Sequence, residues 1–287
     1  MKPQSAKHLL AALLLIATAN TAVTASTESD FLPADTAIAV QMLKDQKADN
    51  CYMGKRIRET AEAFLNAPYK GGTLEGEPER LRINLREFDC TTFVETILAL
   101  SETAARGDTT FVRFAENLAA IRYQNGESDK YAKRLHYFSL WIKQNAAQGR
   151  ITEIIPQNGI ARCETKEINF MSSHADLYPA LKEKSRIAEI QKAEKELSTD
   201  TVCYIPKEKV PQLTSEEIRD GDIIAIVTDK KGLDITHVGI AAIQDGEPHL
   251  LHASSAAKRV ILDPRTLYEY LMHYPSHRGI RILRATE

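Results

Sequence analysis

A cysteine and a histidine in this chain occur where a catalytic nucleophile and its base could form. Cys90 opens the run "CTTFVETILAL", in which Cys90, Phe93, Val94, Ile97 and Leu98 recur at helical spacing. Free N–H groups and the helix dipole stabilise an anion in the first turn of a helix, so we expect a thiolate to form below the pKa of about 8.5 of a free cysteine. The alternative is that Cys90 is a small buried hydrophobe, and for this residue taken alone that interpretation is favoured.

A candidate base lies 147 positions downstream of Cys90. His237 stands at the start of "HVGIAAI", a run that is apolar on both faces and is therefore typical of a central strand. Cysteine hydrolases of the papain type carry their histidine well downstream of the nucleophile. The pair Cys90 and His237 therefore indicates nucleophilic catalysis.

A third residue should orient the imidazole of His237, and two histidines follow it. Asp245-Gly246 predicts a two-residue hairpin, which pairs Gln244 with Glu247. His252 then lies opposite Gly239, on the face of His237 and one diagonal step away, where two rings can meet. His249 faces the other way, so this register selects His252; a four-residue loop would make the contact harder.

The elements that would position these residues change character along the chain. Helical patterns come first, at 55–66, 90–105, 109–122, 130–147 and 178–198, whereas 26–52 is irregular to weakly helical and 150–175 lacks clear periodicity. Short β-branched or apolar runs follow at 220–229, 236–244, 247–254, 259–264 and 279–285, with a short helix at 264–273 that has a proline at its start. Helices followed by an antiparallel sheet predict an α+β fold.

The N-terminal 25 residues are predicted to be a signal peptide. Lys2 and Lys7 precede the apolar run 9–17, and small residues lead to a cleavage site after Ala25. The run is too short to span a bilayer, so we expect an exported protein, periplasmic or extracellular, that is not inserted in the membrane. Residues 26–287 then form a single domain.

Composition restricts the partners. Apolar residues make up 43% and charged residues 26%, and the net charge is −2 without a block of like charge. Nothing in this balance favours nucleic acid or an anionic membrane. We expect a monomer.

Four cysteines are present. If Cys90 stays reduced as a nucleophile, at most one disulfide forms, and Cys163–Cys203 is the pairing we predict, although the sequence alone does not decide it. No metal and no cofactor is expected: H-E-x-x-H is absent, and His249 and His252 would point to opposite faces of a strand.

Six motifs together resemble a known family. "FDCTTFVE", "DGDIIAI", "THVGIA" and "LLHASS" resemble the NlpC-type papain-like cell-wall hydrolases, and "APYKGGTLE" and "RLHYFSLWI" are similar to the N-acetylmuramoyl-L-alanine amidase-like branch. The resemblance implies an NlpC-type core with Cys90 as nucleophile, His237 as base and His252 as the orienting residue. It further implies hydrolysis of the amide between the lactyl group of muramic acid and L-alanine in peptidoglycan fragments.

Substrate contacts are expected near a helical insertion at about 106–215. A sugar-bearing fragment favours aromatic platforms and hydrogen-bond donors, and the candidates are Tyr69, Arg134, His136, Tyr137 and Tyr204. Each could instead be a packing residue. The insertion is expected to wall the groove and restrict substrates to small fragments.

Three other functions stay open at this point. The same scaffold could be a γ-D-glutamyl–diamino acid endopeptidase, or a catalytically silent cell-wall-binding module in which Cys90 is merely packed. An acyltransferase would need an amine or lipid acceptor, for which the sequence offers no sign.

Overall fold

A computed structural model describes residues 29–47 and 51–287, so the predicted signal peptide lies outside the described residues. The helices are α1 Pro33–Lys47, α2 Met53–Glu62, α3 Cys90–Ala105, α4 Phe111–Arg122, α5 Phe138–Ala147, α6 Phe170–Ser173, α7 Lys184–Leu197 and α8 Leu267–His273. The strands are β1 Ser29–Asp30, β2 Leu81–Arg82, β3 Ile151–Ile154, β4 Arg162–Glu164, β5 Val202–Pro206, β6 Ile223–Thr228, β7 Ile235–Gln244, β8 Glu247–Ser254, β9 Arg259–Thr266 and β10 His277–Ala285.

One antiparallel sheet organises the fold. Within the described residues it has eight strands in the order β4-β5-β10-β6-β7-β8-β9, and β3 also pairs with β10. Strands β6, β7 and β8 form its centre, and β6 is buried along its whole length. Helices at the start of the chain and a sheet near its end confirm the α+β class.

Helix α3 is the central helix of the fold. It is buried from Thr92 to Ala104, and it packs on α1, α2 and α4 as well as on β7 and β8. Because the rest of the fold covers this helix on nearly all sides, its first residue reaches the middle of the sheet. The contact between α3 and β7 brings the two halves of the candidate site together.

The hairpin between β7 and β8 has the predicted register. Gln244 pairs with Glu247 and Ala242 with His249. Asp245 and Gly246 both have positive φ, 51° and 86°, the left-handed backbone of a two-residue turn. This register places His252 on the face of β8 that the hairpin motif predicted.

Three parts of the fold differ from the sequence-based expectations. Residues 26–52 contain the regular helix α1, and the insertion at 106–215 is not purely helical, because β3, β4 and β5 extend the main sheet. These strands are only three to five residues long, and their pairing partners lie far away in sequence, which leaves little local periodicity to detect. Pro264 does not start α8: it lies in β9, and Thr266 caps the helix in a capping box with Glu269.

The insertion has its own apolar core and a covalent link. Tyr131, Tyr137, Ile168, Met171 and further residues form a cluster separate from those on the sheet. Cys163 and Cys203 form a disulfide between β4 and β5, as predicted, whereas Cys51 and Cys90 are outside it. No helix among the described residues is long and apolar enough to cross a membrane.

Candidate active site

The first turn of α3 positions Cys90. Asp89 is the N-cap, with extended backbone, and its carboxylate accepts a hydrogen bond from the Thr92 N–H at 2.8 Å. The Thr92 hydroxyl in turn accepts from the Asp89 N–H at 3.0 Å, which completes a capping box. Cys90 is thus the first helical residue, as predicted, and it is half-buried.

The thiol of Cys90 reaches strand β7. It receives hydrogen bonds from the backbone N–H of Val238 and from Thr91, which favour the thiolate. Burial and the neighbouring Asp89 carboxylate outweigh them and raise the pKa of Cys90 to about 11. The expectation that the helix start lowers this pKa is therefore wrong, because desolvation and the acidic cap oppose the helix dipole. The resting side chain is a neutral thiol that needs a base.

His237 and His252 form a direct pair. His237 Nε2 and His252 Nδ1 lie 2.6 Å apart, and the ring planes are nearly perpendicular at 88°. Burial, together with the nearby His252 and His277, holds the pKa of His237 well below its usual range. His237 is therefore neutral at rest and can accept a proton.

Gly239 makes this pair possible. A Cβ at Gly239 would lie 3.0 Å from the Cβ of His252 and 2.8 Å from Cδ1 of Leu250. Both distances are shorter than ordinary carbon–carbon contacts of about 3.5–4.0 Å. Gly239 therefore leaves the room that His252 needs to reach His237.

Two tyrosines lie close enough to Cys90 to interact with its charge. Burial is the main cause that raises the pKa of Tyr69 and of Tyr270, and proximity to Cys90 contributes in both cases. Tyr270 on α8 stands edge-on to the ring of His252, with centroids 5.4 Å apart. Tyr69 was predicted from the sequence, whereas Tyr270 was missed, because its place in a short amphipathic helix carries no signal of a site.

Asp263 is a second residue that sequence reasoning missed. Its Oδ2 lies 3.7 Å from His252 Nε2, and both side chains are buried. Arg265 donates two hydrogen bonds to its carboxylate, from Nε at 2.9 Å and from Nη2 at 2.8 Å. The only sequence signal was an acidic residue in the otherwise apolar strand "RVILDP".

A cavity of about 340 Å³ lies beside Cys90. Its lining includes both neighbours of Cys90, residues of the loop at 72–75 and parts of the insertion: Asp89, Thr91, Gly72, Leu74, Glu75, Glu95, Arg122, Arg134, Leu135, His136, Leu177 and Tyr178. A larger cavity of about 810 Å³ opens elsewhere, near Tyr52 and Tyr268. Cys90, His237 and His252 line neither cavity, but the smaller one is lined by both chain neighbours of Cys90, Asp89 and Thr91.

Arg134 and His136, two of the residues predicted to contact substrate, line the cavity beside Cys90. The Arg134 guanidinium donates to the carbonyl of Leu74 and to Glu75, both at 2.7 Å, so it fastens the loop at 72–75 to the insertion. Burial and the charge of Arg134 lower the pKa of His136 to about 3, which leaves a neutral ring whose Nε2 contacts the Tyr131 carbonyl at 2.8 Å.

Tyr137 and Tyr204 are not brought to this cavity. The Tyr137 hydroxyl is buried, donates to Glu194 and accepts from the Met171 N–H, so it holds the core of the insertion together. Tyr204 is buried in β5 with the Arg278 guanidinium over its ring at 5.4 Å. The structure gives both residues packing roles, because the strands and helices that carry them turn their rings inward.

The described residues contain no group of three or more histidine, cysteine, aspartate or glutamate side chains arranged to hold a metal ion. What the site does contain is a thiol, a pair of imidazoles in contact, a buried carboxylate and two tyrosine hydroxyls. This set can carry out nucleophilic attack with proton transfer on a carbonyl compound.

The chain matches one protein family over most of its length. Residues 59–280 match the AmiA-like family, described as N-acetylmuramoyl-L-alanine amidase-like. No curated protein sequence matches the chain.

Solved structures resemble this fold closely. An N-acetylmuramoyl-L-alanine amidase from Bacteroides uniformis is 38% identical, with a TM-score of 0.77, and the match covers 82% of this chain and 99% of that one. A protein from Bacteroides fragilis, named as a xylanase candidate, is also 38% identical, with a TM-score of 0.73 and coverages of 79% and 99%. A protein from Legionella pneumophila shares the fold at 22% identity, with a TM-score of 0.67 and coverages of 88% and 95%.

The family match spans the cysteine, both histidines and the insertion, and the solved relatives extend over nearly their whole length. The chain therefore belongs to the AmiA-like, N-acetylmuramoyl-L-alanine amidase-like family and is an amidase-like hydrolase.

Proposed function

We propose that this protein is a cysteine amidase that hydrolyses the bond between the lactyl group of N-acetylmuramic acid and L-alanine in peptidoglycan fragments. Membership of the amidase-like family supports the bond. The observation that carries the cysteine mechanism is the position of Cys90: its thiol is hydrogen-bonded by Val238, the residue after His237, whose ring contacts His252 at 2.6 Å.

The first half-reaction forms a thioester. His237 accepts the proton of the Cys90 thiol as the sulfur attacks the amide carbonyl, and the carbonyl electron pair moves onto oxygen. When the tetrahedral intermediate collapses, the C–N bond breaks and protonated His237 gives its proton to the amine of L-alanine. The muramoyl group stays on Cys90 and the stem peptide leaves with a free amino terminus.

The second half-reaction releases the sugar acid. His237 removes a proton from water, which attacks the thioester carbonyl, and the C–S bond then breaks. The sulfur regains a proton from His237. Water is the only co-reactant, and the products are a muramic acid carboxylate and a free peptide.

The developing oxyanion needs hydrogen-bond donors. The Asp89 carboxylate occupies the N–H of Thr92, two residues into the helix, which leaves the Cys90 N–H as a donor at the helix start. The Tyr69 hydroxyl is the side-chain donor we assign beside it, since its pKa responds to the charge of Cys90 and its proton is firmly held. Tyr69 would thus bind the substrate by donating a hydrogen bond to this oxyanion.

The cavity beside Cys90 is the site we assign to the substrate. Arg134 and His136 remain substrate-contact candidates, whereas Tyr137 and Tyr204 are dropped because their side chains are buried elsewhere. The insertion supplies one wall, including Leu177, which is 61% exposed. This wall supports a preference for small fragments over intact cell wall.

The remaining expectations belong to the same proposal. The core is of the NlpC papain-like type, the protein is exported with residues 1–25 as signal peptide, and it acts as a monomer. Mass analysis of the protein recovered outside the cytoplasm tests the signal: an N-terminus at residue 26 is expected, and retention of residues 1–25 would contradict it.

A xylanase activity is not favoured by the cavity beside Cys90. Glycoside hydrolysis uses two available carboxyl groups that flank the bond. Here Glu95 is paired with Arg122 at 2.6 Å, Glu75 with Arg134 at 2.7 Å, and Asp89 caps α3. These carboxylates are engaged in the fold.

A defined disaccharide-peptide, incubated with the protein and weighed after reaction, tests the proposal. We expect an intact stem peptide that begins with L-alanine, and loss of turnover in Cys90→Ala and His237→Ala. Cys51→Ala is the matched control and should retain activity. A shortened stem would support the γ-D-glutamyl endopeptidase instead, and no product at all would support a silent binding module.

A further inference from the structure

We infer that Asp263 is a positioning residue that selects the tautomer of His252 and, through it, the tautomer of His237. This inference rests on the proposed function, in which His237 is the base. It adds a fourth member to the proposed catalytic set of Cys90, His237 and His252. None of the sequence motifs pointed to it.

Strand pairing places Asp263 next to His252. His252 on β8 pairs with Ile261 on β9, and Asp263 is two residues further along, so its side chain lies on the same face. The pairing shifts register between His249 and Leu251, which marks an irregularity in β9 around Asp263. Such irregularities commonly redirect a side chain toward a site.

Within the described residues, Asp263 is the candidate partner for the far nitrogen of His252. Nε2 is buried and lacks a hydrogen bond, and Asp263 Oδ2 is 3.7 Å away. That separation exceeds a hydrogen bond, but a small ring rotation closes it, and catalytic contacts commonly tighten when substrate binds. An unpartnered buried N–H is costly, so the carboxylate is the natural acceptor.

Arg265 keeps this carboxylate charged and fixed. Its side chain donates to both oxygens of Asp263, and its backbone N–H donates to Oδ1 at 3.0 Å. Burial alone would raise the pKa of Asp263, but the hydrogen bonds from Arg265, together with the nearby His252 ring, hold it well below its usual range. An ionised carboxylate only accepts hydrogen bonds.

The tautomers follow from these partners. If Asp263 accepts from His252, Nε2 of His252 carries the proton, and Nδ1 of the neutral ring is an acceptor. The 2.6 Å contact then requires His237 to donate from its Nε2. Neutral His237 is left with its lone pair on Nδ1, which is the nitrogen available to take the proton of Cys90.

The opposite tautomer would disable the base. If His252 carried its proton on Nδ1, that N–H would either donate to Nε2 of His237 or oppose a second N–H there. In the first case the lone pair of His237 would lie on Nε2 and face His252. Without the carboxylate nothing in the described surroundings of His252 enforces the productive choice. The charge of Asp263 also stabilises the imidazolium that forms during the reaction.

Several charged and titratable groups surround the histidine pair and contribute to its pH dependence. They are Cys90 at the start of α3, Tyr270 on α8, His277 on β10, and Asp263 and Arg265 on β9. Of these groups, which all belong to the described part of the chain, Asp263 is the one that brings a negative charge close to His252. Replacement of Asp263 should therefore shift the acid limb of the pH dependence of kcat/KM to lower pH.

Nitrogen NMR of the full-length protein labelled with ¹⁵N-histidine tests the tautomers directly. We expect the neutral rings of His252 and His237 to carry their protons on Nε2, with assignments made by single His→Gln variants. Protonation of His252 on Nδ1 in the wild-type protein would overturn the inference. The tautomers are measured on the wild-type protein without turnover, so this test is independent of the proposed function, which Cys90→Ala tests.

The kinetic test uses Asp263→Asn and, as its matched opposite, Arg265→Gln. In Asp263→Asn we expect kcat to fall on the order of 10- to 100-fold with KM unchanged. The acid limb of kcat/KM should move to lower pH, by on the order of one unit, because the imidazolium loses its carboxylate. Arg265→Gln should move the limb to higher pH. A uniform loss in Asp263→Asn without any shift would show that Asp263 only anchors β9, and would overturn the inference.

Discussion

Replacing Gly239 with alanine should disable the histidine pair while leaving the protein folded. The new Cβ would lie 3.0 Å from the Cβ of His252 and 3.0 Å from Cγ of Leu250. Ordinary contact needs about 3.5–4.0 Å. A Cβ cannot rotate away from its backbone, so β7 and β8 must separate at His252 by about half an ångström or more.

That separation acts on the shortest contact of the site. The 2.6 Å distance between His237 and His252 would lengthen beyond about 3 Å, toward the limit of a hydrogen bond. Overpacking of this kind costs about 1–3 kcal/mol of unfolding free energy. We expect kcat/KM on a defined muropeptide to fall at least tenfold, measured together with the thermal unfolding midpoint.

Gly149→Ala is the control for a general loss of stability. Gly149 has φ of +70°, so alanine is strained there, but its Cβ would meet no atom within 4 Å. This variant should lose a comparable amount of stability, about 1–2 kcal/mol, and keep its activity. Equal activity losses in both variants would refute the argument that Gly239 acts through His252.

Three further predictions concern the thiol, a buried ion pair and the disulfide. Because the pKa of Cys90 is raised to about 11, its alkylation rate should rise about tenfold per pH unit between pH 7 and pH 9.5. The rate is measured in a Cys51→Ala background. A plateau below pH 8 would show that the thiolate is already formed at rest and would contradict the prediction. Glu95→Ala should cost about 3–5 kcal/mol in denaturant unfolding, because it strands Arg122, which is 2% exposed and bonded to Glu95 at 2.6 Å; a loss below 1 kcal/mol would contradict this. Cys203→Ser is combined with Cys163→Ser so that no lone thiol remains. This double variant should lower the free energy of unfolding by about 2–4 kcal/mol with little change in kcat. A large loss of kcat without a loss of stability would contradict this and would show that the disulfide of the insertion contributes to catalysis.

The parts of the site that depend on local signals could be predicted from the sequence. Asp245-Gly246 set the hairpin register, which separated His252 from His249, and the apolar spacing after Cys90 gave the bounds of α3. Both signals lie within a few residues of the element that they define. The pairing of Cys163 with Cys203 was also predicted correctly.

The parts that depend on distant contacts could not be predicted. Strands β3 and β5 are short, and their partner β10 lies more than 70 residues further along the chain. Asp263 contacts His252 through an irregular β8–β9 pairing that no turn motif marks. The pKa of Cys90 reflects burial by the whole fold, which outweighs the local effect of the helix start.

The most direct test of the account is to trap the acyl-enzyme. A defined disaccharide-peptide is mixed with excess protein, quenched with acid within one turnover, and the protein digested for mass analysis. The peptide that contains Cys90 should gain the mass of the muramoyl-bearing sugar without L-alanine. An adduct that includes L-alanine and glutamate, or turnover with Cys90 unmodified, would contradict the account.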